Sequence, residues 1–216
     1  PMTRLLCLEN TVGGCIQDQD HIDALVDCAK SHGLATHMDG ARLLNAAVAQ
    51  NVPPARLVQS IDTVSLCLSK GLGVPLGSVL VGPSIVIERA RRLRKMLGGG
   101  MRQAGIIAAA GRYALQHNVE RLAQDHKRTQ ELATALEGLQ ELHFDRARVQ
   151  TNMLLLQSPQ MPALASYLAQ RGIAITAIGE SARIVLHMQI DDAALQQITE
   201  AIQGFFTTSN LPQYVE

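Results

Sequence analysis

The sequence has no surplus of charge of either sign. Among its 216 residues, 19 Lys and Arg balance 19 Asp and Glu, which gives a formal net charge of +0 at pH 7. Proteins that hold nucleic acid or anionic lipid without sequence preference depend on a cationic excess. We therefore expect neither nucleic acid nor a membrane as partner, and we expect a small molecule as the ligand.

Aromatic residues and long apolar runs are also scarce. Trp is absent, and three Tyr and three Phe offer few side chains on which bases could stack. No apolar run approaches the roughly 20 residues that a membrane-spanning helix needs. The chain does not open with a basic segment followed by an apolar one, which would be typical of a secretory signal. These absences favour a cytoplasmic protein.

Cysteine is scarce, and its spacing is not that of a zinc site. There are four cysteines, and none forms a CxxC pair near two histidines. We therefore expect no metal site. All four lie within apolar or helical patterns, which predicts buried thiols in a reducing compartment: Cys7, Cys15, Cys28 and Cys67.

Hydrophobic residues make up 47% of the chain, enough for one large domain or two small ones. Up to about residue 144, short apolar runs alternate with amphipathic helical patterns. This alternation requires crossover connections and predicts an α/β fold with a mainly parallel sheet covered by helices. Beyond residue 144, short strands and two helices predict a small α+β unit. We therefore predict two domains, residues 1–144 and 145–216.

Two polar residues stand at the carboxyl ends of predicted strands. Asp39 follows the strand 34–38, Lys70 ends the strand 63–69, and each precedes a glycine. Carboxyl ends of parallel strands line the crevice where such sheets bind ligands, and a crossover brings two of them together. An amine among apolar neighbours attacks an aldehyde, while a carboxylate keeps a heterocyclic nitrogen protonated. Arg42, one helical turn after Asp39, presents a planar fork to a carboxylate.

Each motif also has a simpler interpretation. The residues around Lys70 fit a solvated loop after a strand, and the segment 39–42 fits a helix N-cap with a local ion pair. On pattern alone, this simpler interpretation is the better one for each motif. The two motifs lie at two strand ends within one crossover unit. Taken together, they support the catalytic interpretation as well as the simpler one.

Segments in order along the chain resemble the low-specificity L-threonine aldolases, which are pyridoxal-phosphate enzymes of the aspartate aminotransferase fold. The likeness extends into the second domain through TNM (151–153) and the strand at Arg183. The segments that carry it in the first domain are LENT (8–11), HMDGAR (37–42), LSKGLG (68–73), PLGS (75–78) and RKMLGGGMRQ (94–103).

The resemblance implies roles for individual residues around pyridoxal phosphate. Lys70 would form the Schiff base, and Asp39 would pair with the pyridine nitrogen. Arg42 would lie against the ring and the substrate carboxylate, and Arg183 would be the main partner of that carboxylate. The implied reaction is cleavage of L-threonine, L-allo-threonine and related β-hydroxy-α-amino acids to glycine and an aldehyde.

The resemblance also implies a homo-oligomer, either a dimer or a tetramer. Positions matching Lys95 and Arg102 lie near the subunit interface in this family and help hold the cofactor phosphate of a neighbouring subunit. Without the resemblance, the basic run 91–95 would be interpreted as a solvated helix face.

Two features depart from the family pattern. Val12 stands where the family has a histidine near the substrate hydroxyl, and valine neither accepts a proton nor donates a hydrogen bond. Either another group or a water then serves as the base, or the substrate preference differs, or the activity is weak. His37 and His187 are the histidines to consider, although a lone histidine beside a strand is commonly structural. The segments that hold the cofactor phosphate in relatives do not precede Pro1, so we expect an N-terminally truncated chain.

Two alternatives remain open. Lys, Asp and Arg in these roles do not dictate which bond breaks, so an aminotransferase or a decarboxylase fits the same scaffold. The chain also fits a catalytically silent fragment with a structural role.

Overall fold

The computed structural model describes residues 2–209, which divide into two compact units. The first unit ends at Ala123 and the second begins at Gln124. In chain order, the elements that begin in the first unit are β1 (Leu5–Glu9), α1 (Gln19–Ser31), β2 (Ala35–Asp39), α2 (Leu43–Gln50), α3 (Pro54–Leu57), β3 (Thr63–Cys67), β4 (Ser78–Val81), α4 (Ser84–Met96), α5 (Gly105–His117) and α6 (Leu122–Leu136).

The first unit contains a four-stranded sheet in the order β1-β2-β3-β4. The first three strands are parallel, and β4 runs antiparallel to β3. Glu9 lies opposite Asp39 in the register, and Asp39 lies opposite Ser65. The predicted α/β fold, with a mainly parallel sheet and helices, is confirmed.

The helices between the parallel strands form because residues that cap or end a helix stand on either side of segments with the apolar spacing of a helix. The Asp18 side chain accepts a hydrogen bond from the backbone N–H of His21 at 2.7 Å, so it caps the start of α1. Gly33, at φ 67°, follows the end of this helix. The helices and the sheet enclose a first core of Ile22, Val26, Met38, Leu43, Ala46, Ala47, Leu57 and Val64.

A second core lies beneath the segment that follows β3. Leu68, Leu72 and Val74 are buried in this segment, so its backbone is anchored although it has no regular structure. The other buried members of this core come from α2, α5 and α6: Leu44, Ala114 and Leu122.

The second unit contains a three-stranded antiparallel sheet in the order β5-β7-β6. Among the residues that the structure describes, 18 buried ones form its core, including Leu154, Ile184 and Ile202. The elements after α6 are a 3-10 helix (Arg146–Arg148), β5 (Met153–Gln157), α7 (Met161–Ala169), β6 (Thr176–Ile178), β7 (Ser181–Val185) and α8 (Asp192–Ser209).

The division between the units falls earlier in the chain than the predicted one after residue 144. Helix α6 supplies Leu132, Ala133 and Leu136 to the core of the second unit, so most of this helix belongs there. The helical pattern of α6 follows that of α5 without a break in composition, which hides the division from the sequence. The assignment of residues 1–144 and 145–216 to a cofactor-binding domain and a small domain stays a prediction.

The prediction of buried cysteines is wrong. Cys7 and Cys28 are exposed, Cys15 and Cys67 are half-buried, and none of the four forms a disulfide within residues 2–209. Cys7 alternates along β1 with Leu8, which packs against the first core, so the thiol lies on the opposite face of the strand.

The described helices include none that is long and apolar enough to cross a lipid bilayer.

Candidate active site

Asp39 and Lys70 follow neighbouring parallel strands at the same edge of the sheet. Asp39 is the last residue of β2 and lies opposite Ser65 of β3, and Lys70 comes five residues after Ser65. Both side chains are exposed, so the expectation of an amine shielded by apolar neighbours is wrong for Lys70 in this structure. β3 ends at Cys67, two residues before the predicted end at residue 69, so Lys70 lies in a turn three residues beyond the strand. The topology thus brings a carboxylate and an amine to one edge.

The backbone at Asp39 is fixed from both sides. Its carbonyl accepts a hydrogen bond from the N–H of Asn10 at 3.1 Å, and the N–H of Gly40 donates to the carbonyl of Ser65 at 2.8 Å. The Asp39 carboxylate accepts a further bond from the N–H of Ala41 at 3.0 Å. The Asp39 carboxylate is therefore exposed to solvent, while its backbone is fixed by hydrogen bonds to residues of the two neighbouring segments.

Arg42 lies at the start of α2, where it occupies the N-cap position. Its side chain is half-buried. The four-residue segment from Asp39 to Arg42, at the carboxyl edge of the sheet, therefore carries one carboxylate and one guanidinium.

The predicted site does not include two buried polar residues at this edge. Asn10 is 0% exposed and Thr11 is 3% exposed, directly after β1. The Asn10 Nδ2 and Thr11 Oγ1 atoms have no hydrogen-bond partner within the described protein. A buried polar group without a partner costs about 1–3 kcal/mol, which a bound polar group would offset. In the sequence, both residues belong to the LENT segment (8–11), which carries part of the family resemblance.

Val12 opens a tight turn beside these residues. Val12 and Cys15 exchange two backbone hydrogen bonds, of 3.0 and 2.9 Å, and the glycines between them have φ of 57° and 83°. Positive φ at both central residues is the geometry of a type I′ turn, for which two glycines are well suited. The Val12 side chain is exposed, so this turn presents an apolar group at the position where the resemblance implies a histidine.

Lys95 and Arg102 belong to an exposed part of the first unit. Lys95 lies in the last turn of α4, and Arg102 follows in the loop before α5. Within the described structure, no residue of α4 is buried. The helix carries both basic residues and exposed apolar ones, among them Ile85 at 78% and Met96 at 71%.

Arg183 lies on the central strand of the small sheet, in the second unit. It is exposed, with Leu155 of β5 opposite it on one side and Thr176 of β6 on the other. A cavity of about 310 Å³ is lined by these three residues and by Ile178. A guanidinium above a partly apolar floor is suited to a carboxylate attached to a short carbon chain.

The two histidines considered as bases have structural contacts. His37 Nδ1 is 2.8 Å from Thr63 Oγ1 on the neighbouring strand. His187 Nδ1 accepts a weak bond from the backbone N–H of Gln189 at 3.4 Å. Among the residues that the structure describes, no group of three or more His, Cys, Asp or Glu is placed to hold a metal ion.

Relatives with names that state an activity match almost the whole chain. It is 41% identical over 205 residues to the low specificity L-threonine aldolase of Escherichia coli O157:H7. This alignment covers 94% of this chain and 60% of the relative. It is 39% identical over 221 residues to low-specificity L-threonine aldolase 1 of Arabidopsis thaliana, covering 98% and 62%. The chain thus spans about 60% of the length of these curated relatives. The resemblance in the sequence motifs is confirmed.

A solved structure and a family model agree with these relatives. The solved structure of the Leishmania major threonine aldolase superposes on this chain with a TM-score of 0.77 at 18% sequence identity. The superposition covers 94% of this chain and 61% of the Leishmania chain, which shows that the two share a fold. The family model of the beta-eliminating lyases matches residues 1–159. Because that match covers most of the chain, the protein belongs to the beta-eliminating lyase family.

Proposed function

We propose that the protein cleaves L-threonine, L-allo-threonine and related β-hydroxy-α-amino acids to glycine and an aldehyde, with pyridoxal phosphate at the carboxyl edge of the first sheet. The observation that carries the proposal is the position of Asp39 and Lys70 after neighbouring parallel strands. It is supported by relatives at 39–41% identity that are named as low-specificity L-threonine aldolases.

The residues at this edge fit the cofactor. Enzymes of this family depend on pyridoxal phosphate, which supplies an electron-accepting ring for breaking bonds at the α-carbon of an amino acid. Lys70 would hold it through Nζ, and the Asp39 carboxylate would keep its ring nitrogen protonated. The unpartnered Asn10 Nδ2 and Thr11 Oγ1 atoms would supply further polar groups to hold it.

Arginines would hold the substrate by its carboxylate. Arg183 and Arg42 each offer two parallel N–H donors to a carboxylate, and such bidentate pairs fix orientation as well as position. Orientation decides which bond at the α-carbon breaks, because only the bond perpendicular to the cofactor ring is weakened. Val12 has no acceptor for the proton of the substrate hydroxyl, so that proton leaves to a water or to another side chain.

Production of glycine and acetaldehyde from L-threonine tests the proposal. We expect the protein with added pyridoxal phosphate to release the two products in equal amounts, and Lys70→Ala to abolish both. Lys30→Ala, which removes an exposed lysine from the end of α1, should keep the wild-type rate. A 2-oxo acid in place of acetaldehyde would support an aminotransferase. Absence of a borohydride-stable adduct on Lys70 of the wild type would support a silent fragment.

We also propose a homo-oligomer, in which Lys95 and Arg102 hold the cofactor phosphate of a neighbouring subunit. The support is α4, a helix that exposes apolar and basic side chains together. Single exposed apolar residues are normal on a monomer, but a continuous exposed stretch typically marks an interface. Ile85→Glu should lower the mass measured by sedimentation equilibrium. Ile178→Glu, at a site of matched exposure, 80% against 78%, should not. An unchanged mass for Ile85→Glu would contradict the interface.

The four cysteines form no disulfide in the part of the chain that the structure describes, which supports a cytoplasmic location, since cytosolic proteins keep their cysteines reduced. Fractionation of the source cells should recover the activity with cytosolic markers, and recovery with an oxidising compartment would overturn this part of the proposal.

A further inference from the structure

A side-chain hydrogen bond ties the turn that carries Lys70 to the end of α5. Asn118 is the C-cap residue of α5, and its Nδ2 donates to the carbonyl oxygen of Leu72 at 2.8 Å. The two residues are 46 positions apart, so the bond is a tertiary contact. Asn118 is half-buried, and partial shielding from water strengthens such a bond.

The turn itself is compact and partly anchored in the second core. The N–H of Gly73 donates to the carbonyl of Lys70 at 2.9 Å, which closes a four-residue turn with Leu72 as its third residue. Leu72 is 3% exposed, whereas Lys70 is exposed. The Asn118 amide therefore bonds to the peptide between Leu72 and Gly73, inside the turn that starts with Lys70.

Close packing also restricts the backbone of the turn that begins at Lys70, on the side that faces the junction between α5 and α6. A Cβ added to Gly71 would lie 2.7 Å from Leu122 Cδ2, so the backbone at Gly71 is in contact with the start of α6. The junction between α5 and α6 thus touches the turn through an apolar contact and through one hydrogen bond. Of the two, only the hydrogen bond fixes the direction of a peptide group.

We propose that Asn118 is a positioning residue for Lys70. The inference rests on the proposed function, in which the Lys70 amine reacts with the cofactor aldehyde. By holding the Leu72–Gly73 peptide, Asn118 keeps the turn in one conformation and the lysine Cα in one place relative to Asp39. A fixed amine has a higher effective concentration toward an aldehyde bound nearby than an amine on a loose loop.

Selective labelling of lysines tests the inference without measuring turnover. The chain has four lysines, so pyridoxal phosphate with borohydride, followed by peptide mass spectrometry, compares Lys70 directly with the other three. Asn118→Asp keeps the shape of the side chain but removes the donor, and Asn118→Ala removes both. Gln203→Ala is the matched control, because Gln203 Nε2 donates to the carbonyl of Ala135 at 2.7 Å in the second unit.

We expect both Asn118 variants to lose at least about fivefold in the preference for Lys70, as an effective-concentration effect would give. Hydrogen exchange at the Gly73 and Val74 amides should become faster in both, while Gln203→Ala keeps wild-type labelling and exchange there. Wild-type preference for Lys70 in Asn118→Asp would overturn the inference and leave the proposed function intact. Equal labelling of all lysines in the wild-type protein would overturn both.

Discussion

The N–H of Gly40 donates to the carbonyl of Ser65 at 2.8 Å, and a Cβ at Gly40 would lie 2.8 Å from the same oxygen. The two strand ends approach each other this closely only because residue 40 has no side chain. The same contact fixes the backbone that presents the Asp39 carboxylate. Gly40 therefore links the packing of the sheet to the proposed site.

Gly40→Ala should destabilise the first unit by about 1–3 kcal/mol, the usual cost of overpacking a filled space. The added methyl group would meet backbone at Ser65 and side-chain atoms of Leu43 and Val64 at 3.1 Å, none of which is the far end of a flexible chain. Urea denaturation measures the change. Gly105→Ala is the control, because nothing lies within 4 Å of a Cβ there. Equal urea midpoints for the two variants would contradict the contact.

Asp39→Asn should weaken binding of pyridoxal phosphate by at least about tenfold, because a neutral amide does not hold the ring nitrogen in its charged form. Its effect on folding should be small, since the side chain is exposed and the remaining Oδ1 still accepts from the N–H of Ala41. An absorbance titration with the cofactor measures the affinity. Asp27→Asn, an exposed aspartate of α1, should bind as the wild type does. Unchanged affinity in Asp39→Asn would remove Asp39 from the site.

The sequence predicts most of the first unit because its strands are apolar runs bounded by glycine. The predicted strand 34–38 and the observed β2 differ by one residue at each end, and β3 begins at the predicted Thr63. The apolar run at residues 173–176 predicts a strand there, whereas β6 runs from Thr176 to Ile178. Ile173 and Ile175 pack against the core without pairing, and pairing with β7 is set by the hairpin at Gly179.

The candidate site likewise contains residues that the sequence predicts and residues that it does not. Asp39 and Lys70 follow from strand ends, which periodicity reveals. The unpartnered atoms of Asn10 and Thr11, and the bond from Asn118 to Leu72, depend on burial and on contacts between distant segments. Such contacts leave no periodic signal in a single sequence. The LENT segment (8–11) marks Asn10 and Thr11 as part of a motif, but neither their burial nor the contact of Asn118 can be predicted from a pattern.

Arg183→Ala should raise KM for the amino acid by roughly 10- to 100-fold, which corresponds to loss of a charge-assisted hydrogen bond of about 1.5–3 kcal/mol. Stability should change little, because the side chain is exposed. Steady-state kinetics with L-threonine measure the effect, and Arg183→Lys should recover part of it. Arg171→Ala removes another exposed arginine of the same unit, one that lies over the Tyr167 ring, and should leave KM unchanged. A wild-type KM in Arg183→Ala would contradict the assignment.

His126 should make the second unit less stable in mild acid. Burial lowers the pKa of His126 below its ordinary value, against an opposing effect of the Asp125 charge. The unfolded chain therefore binds the proton more readily, and stability falls as the pH drops below about 6.5, by at most about 1.4 kcal/mol per pH unit. Urea midpoints at pH 7.5 and 5.5 measure this loss, which should shrink in His126→Gln but not in His21→Gln, an exposed histidine. Equal losses in both variants would show that His126 does not carry the effect.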